Sequence, residues 1–282
     1  MAETTQPRVA APLPCVFFVG DYNAGKSSLI NALLRRDALL TCREESRALP
    51  AFVSRSPQNE ASFAALTRQG AESAVRTHDD FLSLRRPENG EAAYTALAAR
   101  FPKTPFHRLV LVDSAGSSTD AVEKVRIPAL SHPDRALLVV VTDVEYWSSK
   151  HNMDLIADLT ETFGSHVIVV ANKADHLNSN EIQRVSAKAP QRMEDFGIAT
   201  PPRFFAVSAR LESARLDKKN EYRTRTKARV LEMCDSAFDA FRVALYEFEA
   251  ARSGPAQPPA FDELMGSPLA KSFIATQQGD AQ

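Results

Sequence analysis

The sequence predicts an α/β fold in three layers around a mostly parallel central sheet. Short apolar, β-prone runs alternate with helical runs along most of the 282 residues, and strands separated by helices pair in parallel with both faces covered. The longest apolar runs, Ala136-Leu137-Leu138-Val139-Val140-Val141 and Val167-Ile168-Val169-Val170-Ala171, are continuous rather than alternating, which suits strands buried on both sides. A first strand also leads straight through a glycine-containing loop into a helix.

Element by element, residues 1–13 read as a flexible leader, polar and rich in Pro and Ala. Residues 15–19 are apolar, β-prone and end at Gly20, the pattern of a buried strand. A helix follows over 26–36, where Leu29, Ile30, Leu33 and Leu34 recur at helical spacing without Gly or Pro. Residues 37–50 are polar and irregular. Strand-like runs at 51–53 and 61–66 flank Ser56-Pro57-Gln58-Asn59, and a turn at Arg68-Gln69-Gly70 closes a hairpin into 74–76. Thr77 is an N-cap for a short helix through Leu84, with Asp79 and Asp80 in its first turn. The spacing predicts another helix over 91–100. Strands at 107–112, 135–141, 167–171 and 204–207 then alternate with helices at 149–163, 180–196 and 224–252. The last helix, about 44 Å long at 1.5 Å per residue, carries one apolar stripe through Val230, Cys234, Ala237, Phe238, Phe241, Leu245 and Phe248. That stripe reads as a closing helix docked on the sheet, with a partner or dimer interface as the other option. Residues 253–282 carry Pro255, Pro258, Pro259 and Pro268 and read as a flexible tail. One domain over 14–252 is therefore expected between leader and tail.

Composition excludes several classes. With 34 Lys+Arg against 35 Asp+Glu, the formal charge of −1 disfavours a globally basic nucleic-acid binder and an acidic disordered chain. No apolar run approaches the ~20 residues that span a bilayer, and residues 16–19 are too short for a signal-peptide core. Three scattered cysteines without CxxC spacing suggest neither a disulfide framework nor a zinc site, so reduced thiols and a cytoplasmic setting are expected.

Four motifs carry the chemistry. Gly20-Asp21-Tyr22-Asn23-Ala24-Gly25-Lys26-Ser27 fits GxxxxGK[ST] between strand and helix. Glycines let backbone N–H groups wrap phosphate oxygens, and the helix N-terminus adds its positive dipole end. Lys26 would neutralise the β- and γ-phosphates, and the Ser27 hydroxyl would coordinate Mg²⁺. Asp113-Ser114-Ala115-Gly116 follows a strand and fits DxxG; its carboxylate would hold the metal through water, and the Gly116 N–H would sense the γ-phosphate. Asn172-Lys173-Ala174-Asp175 fits NKxD. A carboxylate only accepts hydrogen bonds, and guanine offers two donors on one edge where adenine does not. Lys173 would lay its stem along the base, and Asn172 would tie this loop to the phosphate loop. Ser208-Ala209-Arg210 follows the strand 204–207, with the Ala209 N–H facing guanine O6. All four fall in order at strand ends, where such sheets bind ligands.

With these residues in place, the chain resembles the translation-factor-related class of P-loop GTPases over about residues 14–252. The stretch from Gly20 through Lys26, Ser27 and Ser28 to Leu34 is similar to the Era-like and bacterial dynamin-like groups. Lys26 and Asp113 stand 87 residues apart, more than a minimal G domain needs, and this favours the dynamin-like side. The resemblance implies a P-loop NTPase G domain enlarged by an insertion between switch I and DxxG. It implies binding of GTP and GDP with Mg²⁺, hydrolysis to GDP and phosphate, and action as a molecular switch. A nucleotide-binding scaffold with little turnover and a ribosome- or RNA-associated GTPase are the alternatives.

The pattern is incomplete. The switch I threonine of these families has no clear counterpart; Ser46 is favoured as the residue reaching the metal and the attacking water, and Thr41 is the alternative. Ser117 follows Gly116, so the water-orienting glutamine is missing, and Tyr22 stands where dynamins often place a polar catalytic group. Asn23 matches an asparagine that helps hold a monovalent cation, so potassium stimulation is expected. These departures predict slow turnover without a partner or a homodimer formed across the nucleotide face.

Residues 210–229 hold eight basic side chains against three acidic ones, a stretch suited to anionic lipid or RNA or to a solvated surface. A peripheral membrane location follows from the first option. Within 261–274, Phe261, Leu264, Met265, Leu269, Phe273 and Ile274 suit either a docking motif for a protein partner or local packing. With 72 residues after Arg210, no dynamin stalk is expected within this sequence.

Overall fold

A computed structural model describes residues 13–41, 49–67, 72–85, 94–114, 129, 132–216 and 220–252. Nine strands form one sheet: β1 (Cys15–Val19), β2 (Ala51–Arg55), β3 (Ser62–Thr67), β4 (Glu72–Val75), β5 (Tyr94–Phe101), β6 (Val110–Asp113), β7 (Ala136–Asp143), β8 (Val167–Asn172) and β9 (Arg203–Ala206). Their spatial order is β4-β3-β5-β2-β6-β1-β7-β8-β9. The five strands from β6 to β9 run parallel, so their carboxyl ends share one edge. β2 joins β6 antiparallel, with Ala51 opposite Asp113. β5, β3 and β4 extend the sheet beyond β2 and form the enlargement expected from the wide motif spacing.

Side chains alternate between two cores. Cys15, Phe17 and Val19 enter one, and Val16 and Phe18 the other, as the period of two requires. Helices α3 (Lys150–Phe163) and α4 (Ser179–Asp195) cover the first; α1 (Lys26–Leu34) and α2 (His78–Leu84) cover the second. Two short helices, α5 (Ala209–Ser213) and α6 (Glu221–Arg225), precede the long α7 (Ala228–Arg252). Val230 and Cys234 of α7 lie in the first core, while Phe238, Phe241, Leu245 and Phe248 lie in the second. The closing helix thus docks beside edge strand β9 and joins both cores. No helix among the described residues is long and apolar enough to cross a membrane.

Two expectations need correction. Residues 94–101 are strand β5, not helix. Ala96, Leu97, Ala98 and Ala99 are buried between β2 and β3, and this burial outweighs alanine's helical preference. The last helix is also broken. Thr226 adopts an extended backbone (φ −71°, ψ 134°) and its Oγ1 donates to Tyr222 O, ending α6 before α7 begins. At the hairpin, β3 pairs with β4 as expected, and Thr77 caps α2 in a reciprocal box with Asp80.

Candidate functional site

Loops at the carboxyl ends of β1, β6, β8 and β9 bring together the described residues of the four motifs, with Asp113 and Ser114 standing for DxxG. After β1 the chain turns at Gly20 (φ +133°), where a Cβ would stand 2.0 Å from Val141 O. Gly25, at φ +89°, precedes α1, and a Cβ there would lie 2.4 Å from Asn172 Nδ2. Only glycine fits either place. Asn23 sits exposed between them in the left-handed region (φ 59°), which asparagine tolerates better than most residues. Lys26 Nζ donates to Gly20 O at 2.8 Å and Asp21 O at 2.9 Å, so the loop curls around its own lysine. Burial pushes the Lys26 ammonium below its ordinary value, opposed by the charges of Asp113 and Asp21. Tyr22, Ser27 and Ser28 are partly exposed, Ala24 is buried, and His151 Nε2 lies 3.2 Å from Asp21 Oδ1.

At the end of β6, Asp113 Oδ2 accepts from Ser27 Oγ at 2.6 Å and from Arg85 Nη2 at 2.7 Å. Its Oδ1 is buried with no hydrogen-bond partner among the described residues. A hydroxyl beside a carboxylate with an unspent oxygen suits a hard cation such as Mg²⁺. Ser114 Oγ donates to Phe18 O at 2.7 Å, fixing the start of the DxxG loop. Gly116 and Ser46 lie outside the described residues; Thr41 is exposed.

Asn172 is the hinge of the assembly. Its Nδ2 donates to Ala24 O at 2.9 Å, tying the NKxD loop to the phosphate loop, and its Oδ1 accepts from Ala209 N at 3.0 Å. The Ala209 N–H expected to face the base therefore has a partner within the protein. Ser208 caps α5 by accepting from Leu211 N. Lys173, at φ 65°, is held by Asp143 Oδ2, 2.7 Å from its Nζ. The Asp175 side chain is almost fully buried, and its Oδ2 accepts from the Tyr222 hydroxyl at 2.5 Å. Arg210 stacks 3.4 Å from the centre of the Tyr222 ring. Burial and the Asp175 carboxylate push the Tyr222 phenol up.

Motif reading missed Arg85, Asp143 and Tyr222, because none lies within a motif. Asp143 had a local signal, since it ends the strand next to β8 in register with Asn172. The basic stretch also changes character. Arg215 pairs with Glu212 and Asp239, Arg223 with Asp235, Arg225 with Glu221 and Arg229 with Glu232. Carboxylates from α7 offset much of the positive excess counted along 210–229.

The Dynamin family model matches residues 16–174, more than half of the chain. The chain belongs to the dynamin family. Its fold is that of a dynamin-type P-loop GTPase domain. Two solved structures described as an oligomerised bacterial dynamin pair, a mechanism for long-range sensing and tethering of membranes, share this fold. One aligns with a TM-score of 0.62 at 17% identity over 93% of this chain and 39% of its own. The other gives 0.59 at 15% identity over 94% and 47%. The chain thus spans less than half the length of either. No curated protein matches the sequence.

Proposed function

We propose that this dynamin-family chain binds GTP with Mg²⁺ and hydrolyses it to GDP and phosphate as a molecular switch. The observation that carries the reading is the meeting of Lys26, Ser27 and Asp113 with Asn172 and Asp175 at one sheet edge. Lys26 would exchange its two loop carbonyls for phosphate oxygens and stabilise charge there. Ser27 and Asp113 would hold the metal, which polarises the phosphates when bound, with Ser46 or Thr41 completing its shell. Asp175 would read the guanine edge through the oxygen that Tyr222 leaves free, and Asn23 would help place potassium. The domain is taken as 14–252 between leader and tail. A homodimer across the nucleotide face would supply what the missing switch residues do not. Contacts through 261–274 with a protein partner, or through 210–229 with a membrane or RNA, belong to the same reading, as does a cytoplasmic location with peripheral membrane contact.

Phosphate release with one equivalent of GTP, followed in NaCl and in KCl, tests this reading. GDP and phosphate form, faster in KCl and at higher protein concentration. Stoichiometric binding with no phosphate release would instead identify a nucleotide-binding scaffold.

A further inference from the structure

Asp113 has a partner that a metal-holding carboxylate does not need. Arg85 Nη2 lies 2.7 Å from its Oδ2, and both side chains are nearly sealed from water, 3% and 1% exposed. The same oxygen accepts from Ser27. Arg85 does not come from the strand ends that build the rest of the site; it is the C-cap of α2, in the segment that enlarges the sheet. Its Nε and Nη1 are buried with no hydrogen-bond partner among the described residues. A buried guanidinium is tolerated when negative charge compensates it, and Asp113 is the carboxylate paired with it.

We propose that Arg85 is a resident counter-cation for Asp113 that competes with divalent metal and so sets how much magnesium the site needs to hold a nucleotide. The proposal rests on the nucleotide reading above. A guanidinium and a hard dication draw on the same carboxylate charge, and they repel each other across a poorly solvated site. Asp113 Oδ1 is open to magnesium, but the dication repels the guanidinium on Oδ2, so metal binding pushes Arg85 away and Arg85 in turn weakens the metal. Because Arg85 closes α2, that movement is passed to the helix, whose Phe81 is fully buried against the enlarged part of the sheet.

The test titrates MgCl₂ from an EDTA zero point and follows fluorescent GDP binding to the full chain, as wild type and Arg85→Gln. The magnesium midpoint falls roughly tenfold in Arg85→Gln, the scale of one charge interaction in a partly screened site. The gap in melting temperature between the EDTA and Mg–GDP samples widens as well. Arg85→Met, which keeps the buried stem packed, carries the same expectation if Arg85→Gln does not fold. An unchanged or higher midpoint in a folded variant overturns the proposal while leaving the nucleotide site intact. Absence of binding by the wild type at every magnesium concentration overturns the underlying nucleotide reading itself.

Discussion

Gly25→Ala probes the junction on which the whole site hangs. Its backbone sits at φ +89°, and holding alanine in such a left-handed conformation costs about 1–2 kcal/mol. The new Cβ would also fall 2.4 Å from Asn172 Nδ2, too close for any contact, so Asn172 must move. That side chain bridges Ala24 O and Ala209 N, both buried, and stranding such groups costs about 1–3 kcal/mol. Together these make a loss of about 3 kcal/mol, or roughly 6–12 °C in melting temperature for a domain of this size. The two contributions separate in a double-mutant cycle with Asn172→Ala, read by urea unfolding. Once Asn172 is truncated the clash disappears, and Gly25→Ala should then cost only the backbone strain, about 1–2 kcal/mol. Equal costs for Gly25→Ala in both backgrounds would refute the contact with Asn172 as the cause. A cost near zero in the wild-type background would refute the strain argument too.

Three further outcomes follow from the same geometry. Asp175→Asn should shift preference from guanosine to xanthosine nucleotides: Tyr222 holds the amide oxygen, the NH₂ turns to the base, and GDP affinity falls roughly tenfold to a hundredfold for one unmade bond, measured by competition binding. Burial pushes the Cys15 and Cys234 thiols up to about 12, so at pH 8 neither is alkylated by iodoacetamide in the folded protein and both are alkylated in urea, as peptide mass mapping will show. The Arg215 hydrogen bond holds the Asp239 carboxyl below its ordinary value. The stability this gives is present above the unfolded value and is lost as pH falls toward the lower folded one, so Asp239→Asn flattens the acid limb of a stability–pH profile; an unchanged limb would show that the pair contributes nothing.

Much of the site's layout was legible because its demands are local. A glycine is needed where a Cβ would strike Val141 O, and the neighbouring residues carry the signature into a helix that starts at Lys26. Asn172 sits at the end of a strand whose continuous apolar run announces burial on both sides. Ser46 and Gly116, both expected at the site, lie outside the described residues. Arg85 and Tyr222 were illegible for another reason. Each reaches its carboxylate from far along the chain, 28 residues before Asp113 and 47 after Asp175, and nothing in the intervening sequence marks the meeting.

By itself the sequence determined which groups stand at the strand ends, in what order, and that a parallel sheet would gather them, because backbone freedom, helix starts and apolar runs are properties of short segments. Only the tertiary structure decided that alanine-rich residues 94–101 form a buried strand, that the basic stretch is paired with carboxylates of α7, and that the expected metal carboxylate has an arginine on it. Each of those depends on what a distant segment places against the residue, since burial and charge pairing are settled only when the sheet has closed.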